Sequence, residues 1–434
     1  MSRLGSSVFS RLAVYVACVS VIALGWVMLQ NSPSVHAQST LGQPLAGLTS
    51  GQMSLFNTGF LQFNVKWDPD HGLGPVYTNQ DCANCHTSPV AGGTNTTMRT
   101  TFFGALNSDG SFNPLTNEGG FILQPHSEST FVKNCTVKPE AVPSDATLMS
   151  QRLPPQLFGD GLVDAIADTT IENAAGSVGD GISGSTNMVA DWNGVMRPGR
   201  FGSKAQFASL AQAVGMAFQH DIGVTNSVSL NEDCSNAAPG TPQCPNLPPA
   251  CIKAKEPNDT NGKLTLQIYD YPSLLAPNPP STDTAGQAIF VSTGCSLCHT
   301  LSYSTPANVK LLANFTGGKS SVVNALSNQT VNLYSDLLIH HMGPGLADCM
   351  QFGQAQGDQW KTTALWGLST RTVYLHDGRT TDLNTAILDH MSSAGTATAC
   401  PNVYPDSEAN QVIQNYMALS PGNMISLLQF LGTL

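Results

Sequence analysis

Cys82-Ala83-Asn84-Cys85-His86 and Cys295-Ser296-Leu297-Cys298-His299 are two copies of one string, C-x-x-C-H. Each reads as an attachment site for a c-type haem. Two thiols add across the vinyl groups, and the histidine that follows is placed to ligate the iron from the proximal side. The bland alternative is two redox or zinc CxxC pairs that happen to precede histidines. Duplication of the string, in a chain that opens like an exported one, favours the haem reading.

The opening residues carry Arg3 and Arg11, an apolar run over 12–29, and Val35-His36-Ala37 before Gln38. This is the pattern of a secretory signal peptide over 1–37. An uncleaved N-terminal anchor is the alternative, because the run approaches the length that spans a bilayer. Covalent haem and an envelope-side or periplasmic location agree with each other, and an oxidising compartment suits the remaining cysteines. Four of the eleven cysteines belong to the haem motifs, and Cys18 lies in the signal. Cys135, Cys234, Cys244, Cys251, Cys349 and Cys400 remain, an even number that fits disulfides. Cys234, Cys244 and Cys251 share an Asn/Pro-rich stretch that reads as a stapled loop. Cys349 and Cys400 are candidates for a pair. Only 11% of residues are charged, and acids outnumber bases 29 to 18. That excludes nucleic acid and anionic lipid as partners and permits a basic electron-transfer protein.

The pattern predicts a mainly α protein. Two cytochrome c-like helical domains, 38–275 and 276–434, would each hold one covalent haem, joined by loop-rich insertions. The boundary falls in the Pro/Asn/Ser-rich stretch 231–280. Gly286, Ile289, Phe290 and Gly294 before the second motif predict a short helix and a tight turn into Cys295. The glycine would admit a partner helix and the aromatic would lie against it.

Further strings run from Gly59 to about Ala394. They include Arg152-Leu-Pro-Pro-Gln-Leu-Phe-Gly-Asp-Gly-Leu162, Gly181-Ile-Ser-Gly184, Gly199-Arg-Phe-Gly-Ser-Lys-Ala205, Asp221-Ile-Gly-Val-Thr-Asn226, Leu365-Trp-Gly-Leu368 and His376-Asp-Gly-Arg379. With the two motifs they resemble the di-haem cytochrome c peroxidase superfamily, and best the branch of di-haem oxidoreductases often labelled thiol oxidoreductases. The resemblance implies a peroxidase-like enzyme whose N-terminal haem reacts with peroxide or another small oxidant. The C-terminal haem would exchange electrons with a donor or acceptor protein. A pure electron carrier and an oxidase or oxygenase on an external substrate stay open. The resemblance also implies a calcium held partly through Asn side chains, for which Asn187 and Asn226 are candidates. Two departures stand out. Where the peroxidases carry a tryptophan before the first Asp-Gly, this chain has Gly159. Where close relatives carry one in the Arg-Phe-Gly string, it has Ser203. Trp192 is a possible substitute, or a core aromatic. Glu172 is the candidate acid–base catalyst.

His86 and His299 are the expected proximal iron ligands. His390 is the expected distal ligand of the second haem, since Leu383, Ile387 and His390 share one helical face. Met391 is its rival. His340 could ligate or lie over the first haem, or pack as an ordinary histidine. His376 is expected to organise the second pocket. Arg371 and Arg379 are expected propionate partners of the second haem, and Arg152 and Arg200 of the first, because a guanidinium fork matches a carboxylate.

Overall fold

The computed structural model describes residues 41–229, 249–251, 263–311 and 322–434. The expected signal peptide, most of the stretch around Cys234 and Cys244, and residues 312–321 lie outside the described residues.

Helix accounts for 31% of the described residues and strand for 16%, which corrects the mainly α expectation. Among the described residues, eleven helices are interleaved with fifteen short strands in seven small antiparallel sheets. The reason is local: 40 glycines and 27 prolines cut the chain into brief elements joined by turns. The strings that carry the family resemblance are mostly such turns, with Gly159, Gly202, Gly223, Gly367 and Gly378 all at positive φ.

Two helical cores remain. In the first, Thr49 caps the helix Ser50–Phe63 through a capping box with Gln52. Phe56, Gly59 and Phe63 form its inner face. A Cβ at Gly59 would meet Tyr271 N at 2.6 Å and Gln267 O at 2.7 Å, so glycine is what lets the helix Lys263–Leu274 lie close. That helix occupies the end of the stretch expected to be linker, and its Tyr269 and Tyr271 are fully buried. Leu162, Leu210, Phe158 and Trp366 complete this core, and Cys82 and Ala83 pack on it.

In the second core, Asp283 caps the helix Thr284–Thr293, and Gly294 ends it at φ 100°. A Cβ at Gly286 would lie 2.4 Å from that of Phe430, and Phe290 packs on Phe430 at 5.5 Å. The helix therefore sits directly on Pro421–Leu431 and delivers the chain into Cys295.

A bridge between Ser185 and Ile339 joins the halves, and longer strand pairs form within each. Thr100–Leu106 pairs with Leu148–Arg152, and Ile339–His341 pairs with Gln359–Lys361, with His340 opposite Trp360. Two disulfides add covalent ties. Cys349 bonds Cys400. Cys251 bonds Cys135, far from the stretch it was expected to staple. No helix among the described residues is long and apolar enough to cross a membrane.

Candidate functional site

Asp81 caps the one-turn helix Cys82–Cys85, its carboxylate accepting from Asn84 N at 2.6 Å. The chain then turns at His86, whose Nδ1 lies 3.1 Å from the Gly93 carbonyl. His299 repeats the arrangement, with Nδ1 2.8 Å from the Tyr334 carbonyl. A carbonyl only accepts, so Nδ1 carries the proton in both rings; His86 has the Pro155 carbonyl as a second acceptor, whereas in His299 Nε2 presents a lone pair, the form a metal takes. Burial keeps both imidazoles neutral. It lowers His86 below its ordinary value and His299 to about 4.

The four motif cysteines are unpaired, although the other described cysteines form disulfides. Burial pushes Cys85 and Cys295 up to about 12, and raises Cys82 and Cys298 as well. Such thiols resist ionisation, which disfavours thiolate redox chemistry. Two unpaired thiols and a neutral imidazole fit covalent haem at each motif.

His390 follows the helix Leu383–Leu388, and its Nδ1 is fixed on the Ala386 carbonyl at 2.7 Å. Its ring is neutral through burial, and its charge, if present, would depress His299. The two imidazoles thus lie within electrostatic reach. Leu383 and Ile387 pack on the cluster that also takes Cys295 and Tyr334. Met391 points out, 41% exposed.

His340 lies beside the second motif, not the first, with Nδ1 3.8 Å from Cys298 Sγ. Both its nitrogens are engaged by carboxylates, Nδ1 with Glu408 at 2.8 Å and Nε2 with Asp336 at 2.9 Å. Burial alone would lower it, but those partners push it up to about 12. A doubly protonated ring has no lone pair for iron, so His340 is a structural cation. The Gly181-Ile-Ser-Gly184 string makes room for it, since a Cβ at Gly184 would meet His340 Cε1 at 2.6 Å. His341 pairs with Asp358. His376 stacks on Trp360 at 3.8 Å.

The arginines divide. Arg371 is deep, hydrogen-bonded to Gln156 through Nη2, and leaves Nε without a partner. Burial lowers it to about 10. It has a donor to spare for a haem propionate. Arg152 is bonded to Asp348 and Ser203, and Arg200 to Asp168 and the Ile166 carbonyl, and each likewise keeps an unpartnered Nε. Arg379 holds Asp377 and the Gly345 carbonyl at the surface. These three serve the fold in ways that the motif strings did not reveal.

Arg152 belongs to a buried cluster. Asp348 takes Arg152 on one oxygen and Lys204 at 3.2 Å on the other. Lys204 also donates to the carbonyls of Gln356, Gly357 and Gln359. Both cations lie over Trp360, Lys204 Nζ at 4.1 Å and Arg152 Cζ at 5.1 Å.

Glu172 is exposed near the end of the helix Asp168–Ala174. Two deeper carboxyls were not singled out in the sequence. Asp221 faces Cys82 and Cys85, and burial pushes it up to about 6. Its placement is rigid: Thr78 N and Asn79 N donate to Asp221 O, and Gly74 N donates to Ile222 O. Gly74 and Gly223 touch backbone to backbone at that point. Asp160 faces Lys361, and burial pushes it up to about 8.

Trp192 is a half-buried aromatic at the margin of the first core. The room beside Gly159 is taken by Trp366, 207 positions along the chain: a Cβ at Gly159 would lie 2.5 Å from Trp366 Cζ2. The oxygens of Asn187 and Asn226 already accept backbone N–H groups, from Gln354 and from Val228 and Ser229. His71 and His126 are exposed and His220 is partly buried.

The family model described as "Di-haem oxidoreductase, putative peroxidase" matches residues 124–419. The chain belongs to that family. The match contains the second motif and begins after the first. No curated protein matches the chain.

Proposed function

We propose that the chain is an exported c-type di-haem oxidoreductase of peroxidase type. Bound through two thioethers and an axial imidazole, each haem supplies an iron that takes up and returns one electron. The asymmetry between the two sites carries the reading. His390, on the helix whose Leu383 and Ile387 pack with Cys295, lies within electrostatic reach of His299, whereas the first motif has the carboxyl of Asp221 within such reach.

His299 and His390 would therefore hold the iron of an electron-transfer site between them. His86 serves a site with one protein ligand, where a small oxidant such as peroxide can approach. Arg371 offers its spare Nε to a propionate. Asp221, rather than the exposed Glu172, is the proton-handling group of the first site. A carboxyl near 6 is poised to give and take a proton close to neutrality. Export is supported by the N-terminal pattern and by the disulfides. The acidic surplus suits a basic electron-transfer partner.

Electron paramagnetic resonance of the fully ferric holoprotein tests this. One high-spin and one low-spin signal are expected, and His390→Ala should convert the low-spin one. Two low-spin signals in the fully ferric protein, with no high-spin signal appearing on half-reduction, would select the pure electron carrier instead.

A further inference from the structure

The carbonyl that orients His86 stands in a turn with two glycines. Gly92 N donates to His86 O at 2.9 Å, Gly93 N donates to Val90 O at 2.9 Å, and Ser88 and Thr94 exchange backbone hydrogen bonds at the neck. Gly93 closes the turn, since a Cβ there would lie 1.9 Å from Ser88 O. Glycine adds no side-chain restraint, so the peptide planes at 92 and 93 take their orientation from the bonds made to them. Leu157 N donates to the Gly92 carbonyl at 2.8 Å, and the Tyr271 hydroxyl donates to the Ala91 carbonyl at 2.8 Å. Thr94 Oγ1 donates outward to the Pro154 carbonyl at 2.6 Å, and Pro155 gives His86 its second carbonyl.

Tyr271 is itself held firmly. Its ring lies 5.1, 5.4 and 4.9 Å from those of Phe56, Phe60 and Phe63, and the close approach of Gly59 fixes its backbone. Phe63 in turn lies 6.1 Å from the His86 ring. Burial raises the Tyr271 phenol above its ordinary value, so its proton stays in place. The second motif is held in another way. The Tyr334 carbonyl takes His299 Nδ1, and Ser335 beside it is bonded to the carbonyls of Thr300 and Thr362.

We infer that Tyr271 is a positioning residue for the imidazole of the first site: through Ala91 its hydroxyl sets the Gly93 carbonyl against His86 Nδ1. This rests on the reading of His86 as an iron ligand. A firmly held carbonyl draws on the Nδ1 proton, leaves more negative charge on Nε2 and favours the ferric state of an iron bound there. Without the hydroxyl the peptides at Gly92 and Gly93 relax, and that bias weakens.

The test uses the holoprotein with both haems attached, in a spectroelectrochemical titration. In Tyr271→Phe the ferrous-to-ferric ratio of the first haem at a fixed ambient potential should rise about twofold or more, the low end of what one hydrogen bond is worth. The second haem should titrate as in wild type. The iron–imidazole stretch of the ferrous first haem, read by resonance Raman, should fall in frequency. Tyr269→Phe is the control. It removes a hydroxyl of the same helix that is bonded to Asp164 at 3.1 Å instead, and should leave the first haem at its wild-type potential. An unshifted first haem in Tyr271→Phe, or an equal shift in Tyr269→Phe, overturns the inference. If Tyr271→Phe does not take up both haems, 3-fluorotyrosine placed at position 271 decides. It keeps the ring and the hydroxyl and is the stronger donor, so the ratio should fall below wild type, and a ratio at or above wild type overturns the inference. Wild-type protein that binds no haem at the first motif would instead overturn the reading on which the inference rests.

Discussion

Asp348→Asn should destabilise the holoprotein by about 3 to 5 kcal/mol at pH 7, the usual cost of breaking a buried charge pair from one side. Burial alone would raise the Asp348 carboxyl, yet Lys204 and Arg152 hold it at about 2. Against the ordinary 3.8, that corresponds to roughly 2 to 3 kcal/mol of differential stabilisation. The remainder comes from Arg152, left between Phe102, Phe352 and Trp360 without its carboxylate. Lys204, already lowered to about 8 by burial, would lose its main counter-charge and become neutral near pH 7. The sign in pH is fixed. A depressed carboxyl stabilises the fold above its unfolded value and stops doing so as pH falls through its folded value. The gap between wild type and variant should therefore be full at pH 5 and above, and shrink between about pH 4 and pH 2. Urea unfolding of both proteins at pH 7, 5 and 3 by linear extrapolation measures it. A gap under about 1 kcal/mol at pH 7, or one that does not narrow on acidification, would refute the reasoning.

Gly184→Ala should cost about 1 to 3 kcal/mol, because its Cβ would meet His340 Cε1 at 2.6 Å. The low-spin haem signal should persist, whereas its loss would return His340 to the ligand set. Asp221 is raised to about 6 from 3.8, so the folded state favours its protonated form. Its contribution to stability is present below about pH 4 and lost as pH rises to about 6. Asp221→Asn should remove that slope, worth roughly 2 to 3 kcal/mol. Matched unfolding curves at pH 4 and 7 decide it. An unchanged slope would mean that Asp221 ionises as freely in the fold as in the open chain.

What the sequence makes legible is local. The Gly286–Phe290 spacing and the Gly294 stop predict the helix that leads into Cys295. The offsets of Leu383, Ile387 and His390 predict which face meets the second pocket. Features that depend on distant partners are hidden. Trp366 meets Gly159 and Asp221 meets Thr78 only through the fold, and nothing in either string names its target. The arginines show the same limit. A guanidinium near a motif reads as a propionate partner, and nothing in its string names Asp348 for Arg152 or Asp168 for Arg200. The expected helical dominance fails because helix caps and motifs are visible in sequence, while two- and three-residue strands pairing across long separations leave almost no periodic trace.

The buried thiols of Cys82, Cys85, Cys295 and Cys298 dictate an order of assembly. Once folded, their resistance to ionisation makes them poor nucleophiles. On the proposed two-haem reading, haem is attached to the open chain, before the thiols are buried.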